Sequence, residues 1–346
     1  MTTALAPLPL VPVSRVLVAT DFSLNAARAV TRAVQLPLAP GAELLLVHVL
    51  PSEAPGRFGE RLERVTRTAL RKEEERMRRI AAEAGREDLV IHSELFHGDP
   101  VEAMAKLCGA DRMELVVLGR HGKRTIRDQL LGTTAEKLLR ASCAPVLVVG
   151  QAKPGPWTRP LFAADLRPEN ALALQTLLRL TAPETDVKVV HAYGPARDAV
   201  LRGRPDLEEL RAHVRGSLAQ VEAALREFVR PLDDGRARFR LLLDAREPKT
   251  AIAAAVESWG ADLVVLGTQG RTGARRLLLG SVAEDALRTV PCDVLVVRTP
   301  EPALSDGAQE PLRMSVPLDE RGGDLTAAQL DELRASWGRL PGTWLI

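Results

Sequence analysis

Two stretches of this chain are one segment written twice. Residues 115–149 read LVVLGRHGKRTIRDQLLGTTAEKLLRASCAPVLVV and residues 263–297 read LVVLGTQGRTGARRLLLGSVAEDALRTVPCDVLVV, aligned without a gap at an offset of 148 residues. Weaker echoes lie upstream: VLVATDFS (16–23) against LFAADLRP (161–168), LLLVHV (44–49) against VKVVHA (187–192), and GDP (98–100) against REP (246–248). There the offset drifts, so insertions separate the blocks. A period this long is a duplicated domain, since solenoid repeats have periods of about 20–50 residues.

Within each copy, short aliphatic runs alternate with longer stretches of helical pattern, as in βα units wound into a parallel sheet. The runs VLVAT, LLLVHV, LVVLG and VLVV are nearly unbroken, as strands covered on both faces require. Helices are expected at 23–36 with Ser23 as N-cap, at about 57–84 closed by Gly85, and at 100–109 opened by Pro100; their counterparts fall around 168–181, 206–230 and 248–259. The fold class is therefore α/β, two tandem doubly wound domains. The expected layout is a leader at 1–12, domains at 13–150 and 158–299, a linker at 151–157, and a tail at 300–346. In that tail, Thr326 and Gln329 have capping-box spacing ahead of Leu330, Leu333, Trp337 and Leu340, which suggests a short amphipathic helix that docks on its parent domain or on a protein partner.

The rest of the composition narrows the function classes. Lys+Arg total 47 and Asp+Glu 45, a net charge of +2, so no global field draws the chain to nucleic acid or to a membrane surface. Aromatics are 3%, which makes the cores aliphatic. Three cysteines, Cys108, Cys143 and Cys292, form no CxxC pair, so neither a disulfide framework nor a cysteine zinc site is encoded. The opening MTTALAPLPLVPVSR lacks a basic region and is interrupted by prolines, unlike a signal peptide. A cytoplasmic location is expected.

Parallel sheets bind ligands at the carboxyl ends of their strands, near the switch in strand order. After LVVLG the first copy places Gly119-x2-Gly122-x9-Gly132-Thr133; the second places Gly267-x2-Gly270-x9-Gly280-Ser281. Glycine serves where φ is positive or where a ligand or another backbone approaches closely. The closing Gly-Thr or Gly-Ser opens a helix, whose unpaired N–H groups and positive dipole end suit a phosphate. Thr133-x2-Glu136 and Ser281-x2-Glu284 also have capping-box spacing, so each hydroxyl has a purely structural reading, compatible with the other. The spacers are basic, with Lys123, Arg124 and Arg127 against Arg271, Arg275 and Arg276. Asp21 and Asp165 each follow a first strand, placed to meet a ribose hydroxyl or a metal on phosphates, or to cap the next turn.

The pattern G-x2-G-x9-G-[ST], which occurs in both copies, together with a first strand ending in Asp and a second ending in His-Val, resembles the universal stress protein family. The resemblance implies a five-stranded Rossmann-like fold that holds ATP in one branch of the family, with Mg2+ held through its phosphates. Carried over by position, Ala19 and Asp21 would flank the adenosine and Val49 would bind adenine through its backbone. Leu118, Gly119, Gly122, Gly132, Thr133 and Thr134 would wrap ribose and phosphates. The second copy would use Asp165, Ala192, Leu266, Gly267, Gly270, Gly280, Ser281 and Val282. The resemblance also implies pairing of the two halves through their last strands, and leaves room for a homodimer. The copies depart unequally: Arg246 stands where the first has Gly98, either blocking the second site or adding a phosphate contact.

No catalytic residue is assigned. GxxxxGK[ST], GxSxG, HExxH and kinase signatures are absent from the sequence. His48 and His191 fall at equivalent strand ends and are expected to orient them, while His97 and His121 face Ala245 and Gln269. The function expected is an ATP-binding stress-response regulator, non-catalytic or at most slowly hydrolysing. The alternative is a nucleotide-independent scaffold acting through domain pairing and the tail.

Overall fold

The computed structural model describes residues 10–51, 56–110, 112–120, 132–142, 144–150, 155–193, 207–268 and 279–298. The first half contains β1 (Arg15–Ala19), α1 (Leu24–Val34), β2 (Glu43–Leu50), α2 (Gly56–Glu83), β3 (Val90–His97), α3 (Pro100–Ala110), β4 (Leu115–Gly119), α4 (Thr133–Ala141) and β5 (Val146–Val149). The second repeats the order with β6 (Pro160–Ala163), α5 (Ala171–Arg179), β7 (Thr185–Ala192), α6 (Leu207–Val229), β8 (Ala237–Asp244), α7 (Pro248–Trp259), β9 (Leu263–Gly267), α8 (Ser281–Thr289) and β10 (Asp293–Val297).

The ten described strands join one sheet in the order β3-β2-β1-β4-β5-β10-β9-β6-β7-β8. Each half is a five-stranded parallel sheet of Rossmann-like α/β type, and the halves meet where β5 and β10 pair antiparallel, Val148 opposite Val294. Strand alternation splits the core into two layers. Val16, Leu44, Val117, Val149, Phe162, Val187 and Leu295 face α1, α2, α5 and α6, whereas Leu17, Leu45, Val116, Val148, Leu161, Val264 and Val294 face α3, α4, α7 and α8. At about 1.5–3 kcal/mol for each fully buried aliphatic side chain, this double coverage explains why the strand runs carry almost no polar residue.

Local signals set the helix ends. Ser23 accepts a hydrogen bond from the Ala26 amide at 3.1 Å and so caps α1 as expected. Gly85, at φ +67°, supplies the left-handed turn after α2. Ahead of Pro100 the cap is Asp99, whose Oδ1 accepts from the Val101 and Glu102 amides. In the second half the helix expected from 168 starts instead as a 3-10 turn over Pro168–Asn170, with α5 following.

The leader and the linker are tied in where described. Arg236 donates to the Leu10 carbonyl at 3.2 Å and Arg179 to that of Val11 at 2.6 Å, so the start of the first half lies against the second. Trp157, in the stretch read as linker, is buried in the core. No described helix is long and apolar enough to cross a membrane. Residues 1–9, Gly122, Gly270, Cys143, the basic spacers and the tail lie outside the described residues.

Candidate functional site

In each half the strand order reverses between the first and fourth strands, β1 beside β4 and β6 beside β9, which opens a crevice at their carboxyl ends. Asp21 and Gly119 flank it in the first half, Asp165 and Gly267 in the second.

The two aspartates are placed alike. Asp21 Oδ1 accepts from the Ser23 amide at 3.0 Å, and Asp165 Oδ1 from the Arg167 amide at 3.1 Å. Between each pair sits a residue in the left-handed region, Phe22 at φ +59° and Leu166 at φ +62°. Such strain costs about 1–3 kcal/mol for a residue with a side chain, and it recurs at the same point of both halves. The turn-capping role considered for these carboxylates is therefore real. Burial pushes the Asp165 carboxyl above its ordinary range, and the Arg167 amide and the Asn170 side chain pull the other way without cancelling it. Asn170 is itself buried, and its Oδ1 has no hydrogen-bond partner among the described residues.

Beside the aspartates, His48 and His191 do the orienting work expected of them. Nδ1 of His48 lies 2.6 Å from the Thr20 carbonyl and that of His191 2.8 Å from the Ala164 carbonyl, each joining the second strand of its half to the residue before the aspartate. Phe22 also packs on the His48 ring, with centroids 4.6 Å apart. Ala19, Val49 and Ala192 lie at the partly buried ends of β1, β2 and β7, and Leu118 and Leu266 are buried next to the terminal glycines of β4 and β9.

The glycines have separate reasons. A Cβ on Gly119 would lie 2.6 Å from the Asn25 carbonyl carbon and 2.7 Å from its oxygen, so the start of α1 presses on the strand end. On Gly267 the nearest atom would be Asn170 Nδ2 at 3.2 Å, a side chain standing where the first half has backbone. Gly132 (φ −62°) and Gly280 (φ −60°) are extended and are themselves the N-caps of α4 and α8. This corrects the capping-box reading: Thr133 and Ser281 are the first helical residues, and among the described residues neither helix start has a side-chain cap. Thr134 is exposed and Val282 partly buried in the first turns that follow.

Arg246 has a partner that the sequence did not announce. Its Nε lies 2.8 Å and its Nη2 2.5 Å from the two oxygens of Asp244, the last residue of β8. Burial raises the Asp244 carboxyl, but the hydrogen bonds and charge of Arg246 outweigh that and hold it below the ordinary range. Burial, and after it the same carboxylate, pushes the nearby Tyr193 hydroxyl up. The first half has Gly98 at φ +120° in the place of Arg246. Among the described residues no cluster of three or more His, Cys, Asp or Glu could hold a metal ion.

Comparison with known proteins agrees with this layout. The family model for the universal stress protein family matches residues 12–150 and again 157–298. A universal stress protein of Mycobacterium tuberculosis is 28% identical over 215 residues, covering 61% of this chain and 70% of its own. One from Thermus aquaticus is 38% identical over 112 residues, covering 32% of this chain and 75% of its own. The crystal structure of a universal stress protein from Archaeoglobus fulgidus superposes with a TM-score of 0.57 at 17% identity, covering 84% of this chain and 99% of that one, and supports the fold. The chain belongs to the universal stress protein family, with two family domains in tandem.

Proposed function

We propose that the protein is a stress-response regulator that binds adenine nucleotide, ATP with Mg2+ held through its phosphates, at the switch-point crevices of its halves. The supporting observation is the repeated layout. In both halves a strained turn fixes an aspartate on one side of the crevice, and a helix opens on the other at a glycine without a side-chain cap. Among the described residues no side chain caps that first turn, whose N–H groups can then meet phosphate oxygens. Asp21 and Asp165 would meet the ribose, and the backbone at Val49 and Ala192 the base. Gly122, Gly270, Thr133 and Ser281 complete the carried-over set.

The halves differ in equipment. Arg246 already shares its charge with Asp244 in a bidentate pair, which weakens its reading as a phosphate clamp. The first half is then the stronger site. Mass spectrometry of nucleotide released from freshly purified protein, with its molar ratio to chain, tests this. A ratio near one or two supports nucleotide binding; a ratio near zero, with no calorimetric binding of ATP at millimolar concentration, overturns it.

A second reading, the nucleotide-independent scaffold, draws support from Gly119, which the packing of α1 requires whether or not a ligand is bound. It is favoured if activity in cells survives Gly132→Val and Gly280→Val but is lost when 325–346 are deleted.

A further inference from the structure

Arg120 follows Gly119 directly, at the mouth of the first-half crevice, yet its side chain belongs to the other half. Nη1 donates to the Val290 carbonyl and Nη2 to the Cys292 carbonyl, both at 2.6 Å. These carbonyls lie in the short turn between the end of α8 and the start of β10. The Arg120 backbone is held just as firmly in its own half: its amide donates to the Val149 carbonyl at 3.0 Å, and its carbonyl accepts from Gly132, the cap of α4, at 2.9 Å. One residue thus bridges the end of β5, the start of α4 and the far half.

The fit around the guanidinium is close. A Cβ on Gly150 would fall 3.0 Å from Arg120 Nη2 and 2.7 Å from the Cys292 carbonyl oxygen, so a glycine keeps the passage open. The Gly150 amide also donates to Asp293 Oδ1 at 2.9 Å, next to the same turn. Burial lowers the Arg120 guanidinium, and the Asp293 carboxylate is among the groups that oppose this.

The second half has the same backbone seat without the same side chain. Thr268 follows Gly267, and its amide donates to the Val297 carbonyl at 3.1 Å, as Arg120 does to Val149. Threonine is too short to cross the junction. The second half reaches back from another position, Arg298, whose Nη1 lies 3.4 Å from the Ser142 carbonyl, so among the described residues the one after the terminal glycine crosses the junction in the first half alone. On its far side, α8 is a nine-residue helix that starts at Ser281 in the second crevice and ends beside the carbonyls that Arg120 holds.

We propose that Arg120 is a positioning residue, through which the second half holds the end of β4 and the start of α4 at the first crevice and the two crevices are coupled. A ligand in the first crevice, held at Gly119 and at the start of α4, tightens the contact between Gly132 and Arg120, Arg120 passes this to the turn at 290–292, and α8 carries it to Ser281. By linkage the same coupling runs in reverse, so a ligand at Ser281 tightens the first site by an equal factor. The coupling part rests on the nucleotide reading above; the anchoring part does not.

The test uses the full chain with ATP as probe, reading calorimetric binding and hydrogen exchange in parallel. In ligand-free protein, Arg120→Met is expected to speed exchange across 288–293 by about tenfold, the loss of a pair of charge-assisted hydrogen bonds. Arg120→Lys should restore part of the protection, and Thr268→Val should leave the pseudo-equivalent segment 140–145 unchanged. With ATP bound, wild type should gain protection at 288–293 and Arg120→Met should not, although it still binds. Unchanged ligand-free exchange in Arg120→Met overturns the anchoring. ATP-dependent protection that persists in Arg120→Met, or is absent from a wild type that binds ATP, overturns the coupling. A wild type that binds no ATP removes the nucleotide reading and the coupling with it, while the ligand-free comparison still decides the anchoring.

Discussion

Arg32 of α1 and Asp293 at the start of β10 form an ion pair 3.0 Å long across the two halves, with both side chains buried. Asp293 also accepts from the Trp157 indole and the Gly150 amide, and Arg32 lies over the Trp157 ring at 5.0 Å. Removing one partner leaves the other charge buried and uncompensated, which typically costs about 3–5 kcal/mol. Asp293→Ala and Arg32→Met should each lower the stability from denaturant unfolding by that order. The double variant Arg32→Met/Asp293→Val should cost less than the sum of the single changes. Additive losses would show that the two charges act separately.

The terminal glycines of β4 and β9 provide a matched pair. Gly119→Ala must displace the helical backbone at Asn25, whereas Gly267→Ala meets a side-chain amide that can give by a few tenths of an ångström. Gly119→Ala should therefore destabilise by about 1–3 kcal/mol, the usual range for overpacking, and Gly267→Ala by clearly less. Thermal unfolding of the two variants compares them directly, and equal losses would contradict the packing account.

The four inner strands of each half were legible because they are buried on both faces, so that runs such as LVVLG carry the signal without help from their neighbours in sequence, whereas the edge strands β3 and β8 are only partly buried and show no such run. The repeat located the crevices, since glycine spacing survives where contact partners change. Three features were not legible, each for a physical reason. Arg32 and Asp293 are far apart in the chain, and the sole local hint is an aspartate opening an otherwise aliphatic last strand where the first copy has Pro145. The capping role at α4 and α8 shifted by one residue because glycine can serve as N-cap in extended geometry, which a Thr-x2-Glu or Ser-x2-Glu spacing does not reveal. Asp244 carries no local signal in the sequence, since its pairing with Arg246 depends on the two side chains curling back on each other across the turn.

Asp165 offers a case where stability and binding oppose each other. Its carboxyl is raised by burial, so the folded state disfavours the charged form at neutral pH, and this penalty is relieved as pH falls through the raised value towards the ordinary 3.8. Asp165→Asn removes the buried charge while keeping an oxygen that can accept from the Arg167 amide. The variant should be more stable than wild type at pH 7, by about 1 kcal/mol, with the advantage shrinking as the solution is acidified. It should also lose nucleotide from the second crevice. A variant less stable at pH 7 would mean that the carboxylate is a net stabiliser of the turn.

Lys188, on β7, is 7% exposed and makes no ion pair among the described residues. Its ammonium instead lies 4.4 Å from the centroid of the Trp259 ring, which Arg240 also approaches at 5.6 Å. The ring's negative face offsets part of the desolvation cost, yet burial first and Arg240 second still lower the Lys188 amine from its ordinary 10.5. A base lowered in the folded state imposes its penalty at pH values below the folded pKa, and the penalty disappears as pH rises from there towards 10.5. Lys188→Met keeps the length of the side chain and removes the charge, so it should stabilise the protein at pH 7 by about 1–2 kcal/mol. Unfolding midpoints measured from pH 7 to 10.5 should then show wild type gaining on the variant as the solution becomes alkaline. A gap that stays constant or widens over that range would mean that the contact with Trp259 outweighs the burial of the charge.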